Sequence, residues 1–486
     1  MMADLHHRMT VAAAVLSTAV ATLLAGADHH RPARAATLAV EAGDDVQAAI
    51  DRAGLGDTVL LRRGAHRGPV QIAVPLTLRG EPGVVLEGSG EGNTVTVTAA
   101  DVVVTGLTLR GSGSSLERMD SAVFLARTAL RARVAENRIE DNLFGVYVHG
   151  AAEAVVERNV IIGRRGGRTS EAGNGVSVWN APGARIVGND IRHGRDGVFV
   201  VTSRGNEFSD NVFRDLRFGV HYMYADDSTV ARNVSIGNHV GYAVMFSKRL
   251  TITDNRSERD RDHGLLFNYA NGSTITGNVV LGGPIAAGTE IAAEDDQHSA
   301  MLARARESSG LVRRAGPEKC VFIYNANANR FNGNHFEGCE IGIHFTAGSE
   351  RNEIVGNAFV RNRHQVKYVG TRALDWSKDG RGNHWSDNPG FDLDGDGIAD
   401  TAYRPNDVVD KVLWTAPAAK ILVASPAVQM LRWAQSQFPA LYPGGVVDSR
   451  PLMKPPVEAA AGGSAATGSV ATDGRAGTGP VPTRMP

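Results

Sequence analysis

The stretch Asn211-Val-Phe-Arg-Asp-Leu-Arg-Phe-Gly-Val-His-Tyr-Met-Tyr-Ala-Asp-Asp-Ser-Thr-Val-Ala-Arg-Asn233 runs from one asparagine to the next in 22 residues. Asn211 precedes a β-type pair. Gly219, 14 residues ahead of Asn233, opens the strand Val220-His-Tyr-Met223. The same asparagine recurs at Asn137, Asn159, Asn189, Asn211, Asn233, Asn255, Asn278, Asn334 and Asn357, in steps of 22, 30, 22, 22, 22, 23, 56 and 23. The step of 30 is one coil plus the polar stretch Arg164–Glu171. The step of 56 is a 23-residue coil plus 33 extra residues around Pro284–Pro317. A β-sandwich has no reason to keep such a period. A β-solenoid does, because each coil lays the same residue over its predecessor, where a buried asparagine can bond the amides of neighbouring turns.

Gly145, Gly175, Gly197, Gly219, Gly241 and Gly264 each open a strand, and alternation turns the first and third residues after each glycine inward. Those residues are Val/Val three times, then Val220/Tyr222, Tyr242/Val244 and Leu265/Phe267, all suited to a core. The reading is an all-β fold: a right-handed single-stranded parallel β-helix with coils of about 22 residues, over residues 36–369. Residues 45–53, with Val46, Ala49, Ile50 and Ala53 on one face, predict a short capping helix before the first coils.

Upstream, a basic stretch to Arg8, an apolar run from Val11 to Gly26 and Ala33-Arg34-Ala35 read as a signal peptide over residues 1–35, with an uncleaved anchor as the other reading. No later run approaches the roughly 20 apolar residues of a bilayer span, so the mature chain is expected outside the cytoplasm without a span of its own. Downstream, residues 282–318 form an inserted loop, with Glu290–Arg306 expected to be helical. Residues 370–416 leave the repeat as an Asp-rich, irregular extension, and 417–456 carry a helix near Ala427–Gln437 and the Pro-rich run Pro439–Pro456. That run suits docking on a partner or a plain terminal wrap. The Ala/Gly/Thr/Pro composition of 457–486 predicts a disordered tail.

Hydrophobic content of 42% supports a large core, and a net charge of -1 excludes a global attraction to nucleic acid. Two cysteines exclude a disulfide-built scaffold. Cys320 and Cys339 are 19 apart, three short of a coil. That spacing places them roughly 10 Å out of column and predicts buried thiols, unless a corner closes the gap.

Three groups of residues could carry chemistry. The outward positions of the glycine-led strands are apolar and soft: Tyr147, Ser177, Phe199, His221, Ala243 and Leu266, then His149, Trp179, Val201, Met223, Met245 and Asn268. A solvated face should be charged or hydroxylated, so this one asks for a partner. His221 and Met223 lie about 7 Å apart on one strand, and Met245 stacks on Met223 at about 4.8 Å. Thioether and imidazole together suit copper(I); adaptable packing against a protein is the other reading. Second, Asp392-Leu-Asp-Gly-Asp-Gly-Ile-Ala-Asp400 has the rhythm of a calcium loop: carboxylates from Asp392, Asp394, Asp396 and Asp400 and the carbonyl of Ile398. Tyr403 stands where the bidentate Glu belongs, so Asp407 or Asp410 would have to help. An Asp-rich turn without an ion has the same composition. Third, Arg259-Asp-Arg-Asp-His-Gly264 sets acids and bases side by side, as a polysaccharide lyase or epimerase needs, or as a solvated ion-pair network does.

Phe218-Gly-Val-His-Tyr-Met-Tyr224, Gly241-Tyr-Ala-Val-Met-Phe-Ser247, Asp260–Asn271, Gly316-Pro-Glu-Lys-Cys-Val-Phe-Ile-Tyr-Asn325, Gly342-Ile-His-Phe-Thr-Ala-Gly348, Asn383-His-Trp-Ser-Asp387, Asp392–Asp400 and Pro443-Gly-Gly-Val-Val-Asp-Ser449 together resemble the NosD family. The resemblance implies a periplasmic β-helix protein, not an enzyme, that works with the permease and ATPase subunits of an ABC transporter. It further implies a copper chaperone lipoprotein and apo nitrous oxide reductase as partners, in maturation of that reductase's copper centres. One departure is plain: about 33 residues separate Gly282-Gly283 from Pro317-Glu-Lys-Cys320, where the family pattern runs almost directly on.

Overall fold

The computed structural model describes residues 35–165, 168–284, 314–346, 348–370, 372–422, 425–438 and 444–456. The segment expected to be a signal peptide, before residue 35, the body of the insertion at 285–313 with its expected helix, and the tail from 457 lie outside them.

Each coil is three short strands joined by tight corners, as in Arg185–Val187, Asp190–Arg192 and Asp196–Val201. The first two runs each turn one aliphatic residue inward, Ile186 and Ile191; the third turns in Val198 and Val200. Stacked coil on coil, the strands make three parallel sheets of 13, 13 and 12 strands. The result is a parallel β-solenoid of about 14 turns. Its interior changes along the axis, from Val, Ile and Leu in the first coils to Phe208, Tyr222, Tyr242, Phe267, Phe331, Phe359 and Trp385 in the later ones. Helix α1 (Val46–Arg52), N-capped by Asp45, covers the first coils with Val46, Ala49 and Ile50.

The asparagines form a continuous buried ladder. Each Oδ1 accepts the backbone N–H of the asparagine one coil earlier at 2.9–3.1 Å, from Asn137–Asn159 through Asn334–Asn357. Each Nδ2 also donates to a carbonyl of the preceding coil, such as Ile186 above Asn211. The repeat reaches past 369: Asn383 adds a rung at 3.0 Å below Asn357, and His384–Trp385 pairs with Ala358–Phe359. The boundary predicted at 369 is therefore too early by part of a coil.

The glycine column has a packing cause. A Cβ on Gly219 would lie 2.7 Å from the carbonyl oxygen of Gly241, so the strand cannot approach its neighbour with a side chain there. Cys320 occupies the next place in this column after Gly264, and it corrects the prediction of free thiols. Cys320 and Cys339 form a fully buried disulfide with a Cα–Cα separation of 5.7 Å. Cys339 sits in the corner before Ile341–Thr346, held by Asn362 Oδ1 on its amide at 2.9 Å. That corner folds the chain inward and removes the offset that extended spacing implies.

After the last coil the chain turns back on itself. Val446–Val447 pairs with Leu374–Asp375, and Leu452 N–H donates to the Asn383 carbonyl at 2.9 Å. Residues 444–456 thus wrap the end of their own solenoid. Helices α2 (Val408–Thr415) and α3 (Pro426–Gln437) stand beside it, α2 closed by a capping box between Asp407 and Asp410.

Candidate functional site

The outer surfaces of the first two sheets and their shared corner carry many ion pairs between successive coils, such as Arg158–Glu136 at 3.1 Å and Arg232–Asp210 at 2.7 Å. The third sheet is different. Its outward columns run Phe124, Tyr147, Ser177, Phe199, His221, Ala243, Leu266, Phe322 and His344, and beside them His149, Trp179, Val201, Met223, Met245, Asn268 and Tyr324. Along its edge Tyr224, Phe246 and Tyr269 stack with centroids 5.1 Å apart and remain exposed.

Met223 and Met245 are register partners on adjacent strands and both are half-buried. His221 is more enclosed than its outward position suggests, at 7% exposure. Its ring lies 4.9 Å from Phe199 and 4.7 Å from Phe218. Nδ1 donates to Asp196 Oδ2 at 3.0 Å, and Arg217 clamps the same carboxylate at 2.7 and 2.9 Å. Burial would raise the Asp196 carboxyl, but the His221 and Arg217 bonds outweigh it and hold it below the usual carboxylate range. The Nε2 of His221 is buried without a hydrogen-bond partner among the described residues. Asp196 and Arg217 are site residues that sequence reasoning missed. The available signal was weak: Asp196 is the carboxylate in a column that holds Phe144, Asn174, Phe218, Val240, His263 and Lys319.

In the Asp-rich loop, ligand atoms of Asp392, Asp394 and Asp396 come within 4.8 Å of one another. They also accept local backbone N–H groups: Asp392 from Gly395 and Gly397, Asp394 from Asp396, Asp396 from Ile398, and Asp400 from Leu393. The twelfth position gives no help. Tyr403 donates to Asp387 at 2.8 Å, while Asp407 and Asp410 are spent on capping α2.

The acid–base run also separates. Asp260 is fully buried inside the solenoid, accepting from Asn238 N–H at 2.8 Å and Ser257 Oγ at 2.6 Å. Burial pushes its carboxyl up to about 7. His263 faces outward on the third sheet, and Asp262 is paired with His239 at 3.6 Å. Asp260 and His263 therefore stand on opposite sides of the wall and line no common groove.

Fold and face together define a parallel β-solenoid that concentrates its soft, apolar side chains on one sheet. The family described as "Periplasmic copper-binding protein (NosD)" matches residues 157–390. A "Probable ABC transporter binding protein NosD" of Stutzerimonas stutzeri is 44% identical, covering 82% of this chain and 87% of that protein. One of the same description from Pseudomonas aeruginosa strain PAO1 is 39% identical, covering 82% and 88%. The chain belongs to the NosD family. Among solved structures, an alginate lyase from Paenibacillus sp. str. FPU-7 is similar at 19% identity and a TM-score of 0.43, over 50% of this chain and 95% of that one. No helix of the described residues is long and apolar enough to cross a membrane.

Proposed function

We propose that this protein is the periplasmic, non-enzymatic subunit of an ABC-transporter system that matures the copper centres of nitrous oxide reductase. Copper(I) is its cargo, held by Met223, Met245 and His221 on the third sheet. The observation that carries this reading is the register pairing of two methionines beside a histidine whose Nδ1–H is fixed on a buried carboxylate. A histidine that binds a metal commonly donates its other N–H in this way, which leaves Nε2 as the donor atom. Soft sulfur donors select copper(I) over the harder ions.

The proposed partners are the permease and ATPase subunits, a copper chaperone lipoprotein and apo nitrous oxide reductase; relatives described as probable ABC transporter binding proteins support a transporter-associated role. The exposed apolar residues Ile421, Leu422, Met430, Trp433 and Phe438 around α3 suit docking on such a subunit. Calcium at Asp392, Asp394, Asp396, Ile398 and Asp400 is a separate proposal; Asp394, Asp396 and Asp400 each accept the loop's own N–H groups through one carboxylate oxygen, and a Tm unchanged by added calcium would remove it.

The test is a copper(I) competition titration of the mature protein. Met223→Leu with Met245→Leu should weaken binding by roughly tenfold or more, since each lost ligand removes a metal bond without changing side-chain volume much. Undiminished affinity in the folded double variant would leave the apolar face as a docking surface without metal.

A further inference from the structure

Near the C-terminal end of the third sheet, three basic side chains, His263, Lys319 and His344, surround Phe322, and Lys367 follows His344 in the same column. Register pairing sets His263 beside Lys319, and stacks Leu266, Phe322, His344 and Lys367 in one outward column. The His263 ring lies 5.3 Å from the Phe322 ring, the His344 ring 5.0 Å, and Lys319 Nζ 5.5 Å above its centroid. All are half-buried, with the Lys319 side chain 15% exposed.

The charges around them do not balance. Glu318 reaches Lys319 Nζ at 3.3 Å, Asp262 is turned to His239, and Glu340 is paired with Arg363. Lys367 has no ion-pair partner among the described residues, and the Nδ1 of His344 is buried with none. His364, one strand end away, faces Asp410 of α2. Burial first, then Lys319, pushes the His263 imidazole down to about 4, against the upward pull of Asp262 and Glu318. Burial, Lys367, Lys319 and His263 push His344 down to about 3. The cluster therefore sets Lys319, Lys367 and two imidazoles held uncharged by burial beside two carboxylates, Glu318 on Lys319 and Asp262 on His239, and among the described residues it leaves Lys367 without a counter-charge in contact. Such a place repels a metal cation and attracts an anion.

We propose that His263, Lys319, His344 and Lys367 form a binding site for a small oxyanion, of the phosphate or carboxylate class. The lysines supply charge-assisted hydrogen bonds and His344 supplies an N–H donor, while His263, whose Nδ1–H is spent on the Asp262 carbonyl at 2.6 Å, donates to the anion through Nε2 only on taking up a proton, and Phe322 is the apolar floor beneath them. The site is independent of the copper reading, since it shares no residue with it.

The experiment uses the full mature chain with 13C-labelled histidine, the His263 and His344 signals assigned through H263Q and H344Q. Inorganic phosphate and citrate are titrated separately at constant ionic strength, and whichever saturates identifies the source of the oxyanion. The expected result is a saturable shift of both signals, with both imidazole pKa values rising by about one unit or more in the bound state. Lys319→Met with Lys367→Met keeps the apolar stems and should weaken binding by roughly tenfold or more. Lys367→Met alone should show part of that loss. Non-saturating shifts for both anions, or unchanged affinity in variants whose melting matches the wild type, would overturn the site. So would shifts of these two signals by copper(I) and by neither anion.

Discussion

The carboxylate of Asp448 takes the place of the next rung beneath Asn383: its Oδ2 accepts the Asn383 backbone N–H at 2.7 Å, as each earlier asparagine does for its neighbour. The same oxygen accepts Trp385 Nε1–H at 2.8 Å. A residue beyond the repeat thus ends the ladder and ties the returning strand to the last aromatic layer. Asp448→Ala leaves two buried N–H donors without acceptors, at about 1–3 kcal/mol each. Asp448→Asn keeps one acceptor oxygen and should cost clearly less. Thermal unfolding of the two variants checks the order; equal losses would show that the rung does not hold the terminus.

Asp260 stands in a corner column below Asn238 and carries an acid where an amide would serve. Its folded value of about 7 lies above the ordinary 3.8, so the folded chain keeps a proton that the unfolded chain releases. Its contribution is fully present below about pH 4 and is lost as pH rises towards about 7. Asp260→Asn should therefore raise Tm at pH 7.5 and change it little at pH 4. The difference between folded and unfolded values is worth about 1.4 kcal/mol per unit. A variant that loses stability equally at both pH values would show that the carboxylate form is the one the fold uses.

The Cys320–Cys339 bridge closes a 19-residue separation inside the core. Loop closure of this size stabilises by about 3 kcal/mol through the unfolded chain. Cys320→Ala with Cys339→Ala should lower the denaturation midpoint accordingly, while leaving the far-UV β signal intact. A midpoint unchanged from wild type would mean the bridge constrains little that the coils do not already hold.

Most of the fold is legible because one geometric demand repeats: Asn211 and Asn233 must occupy the same place in successive coils, and so must Gly219 and Gly241. What the period hides is whatever departs from it. Cys320 sits in a glycine column and Cys339 in a corner, so extended spacing misjudges their distance. Asp196 belongs to His221 although 25 residues separate them, because the contact is diagonal between adjacent strands. The cluster around Phe322 draws His263 and Lys319 from either side of the 33-residue excess, which breaks the register that would have aligned them. Asn383 and Asp448 escape for a related reason, since a 26-residue step and then a return from the far end of the chain supply the last two rungs.

The Asp196–His221 contact gives the sharpest test of the copper reading, because it separates a ligand from a packing residue. If His221 binds through Nε2, Asp196 sets its tautomer and aim, and Arg217 holds Asp196 in turn. Loss of such an outer partner costs roughly 10–100-fold in metal affinity. Asp196→Asn keeps the shape and one acceptor oxygen but removes the charge that holds Arg217, so it should weaken copper(I) binding by about tenfold. His221→Gln should weaken it further, and Arg217→Lys less than either. Thermal unfolding runs beside each titration, since breaking a buried ion pair costs about 3–5 kcal/mol whatever the metal does. Variants that melt early yet bind copper as the wild type does would assign His221 to the wall of the solenoid and leave Met223 and Met245 to hold the ion without it.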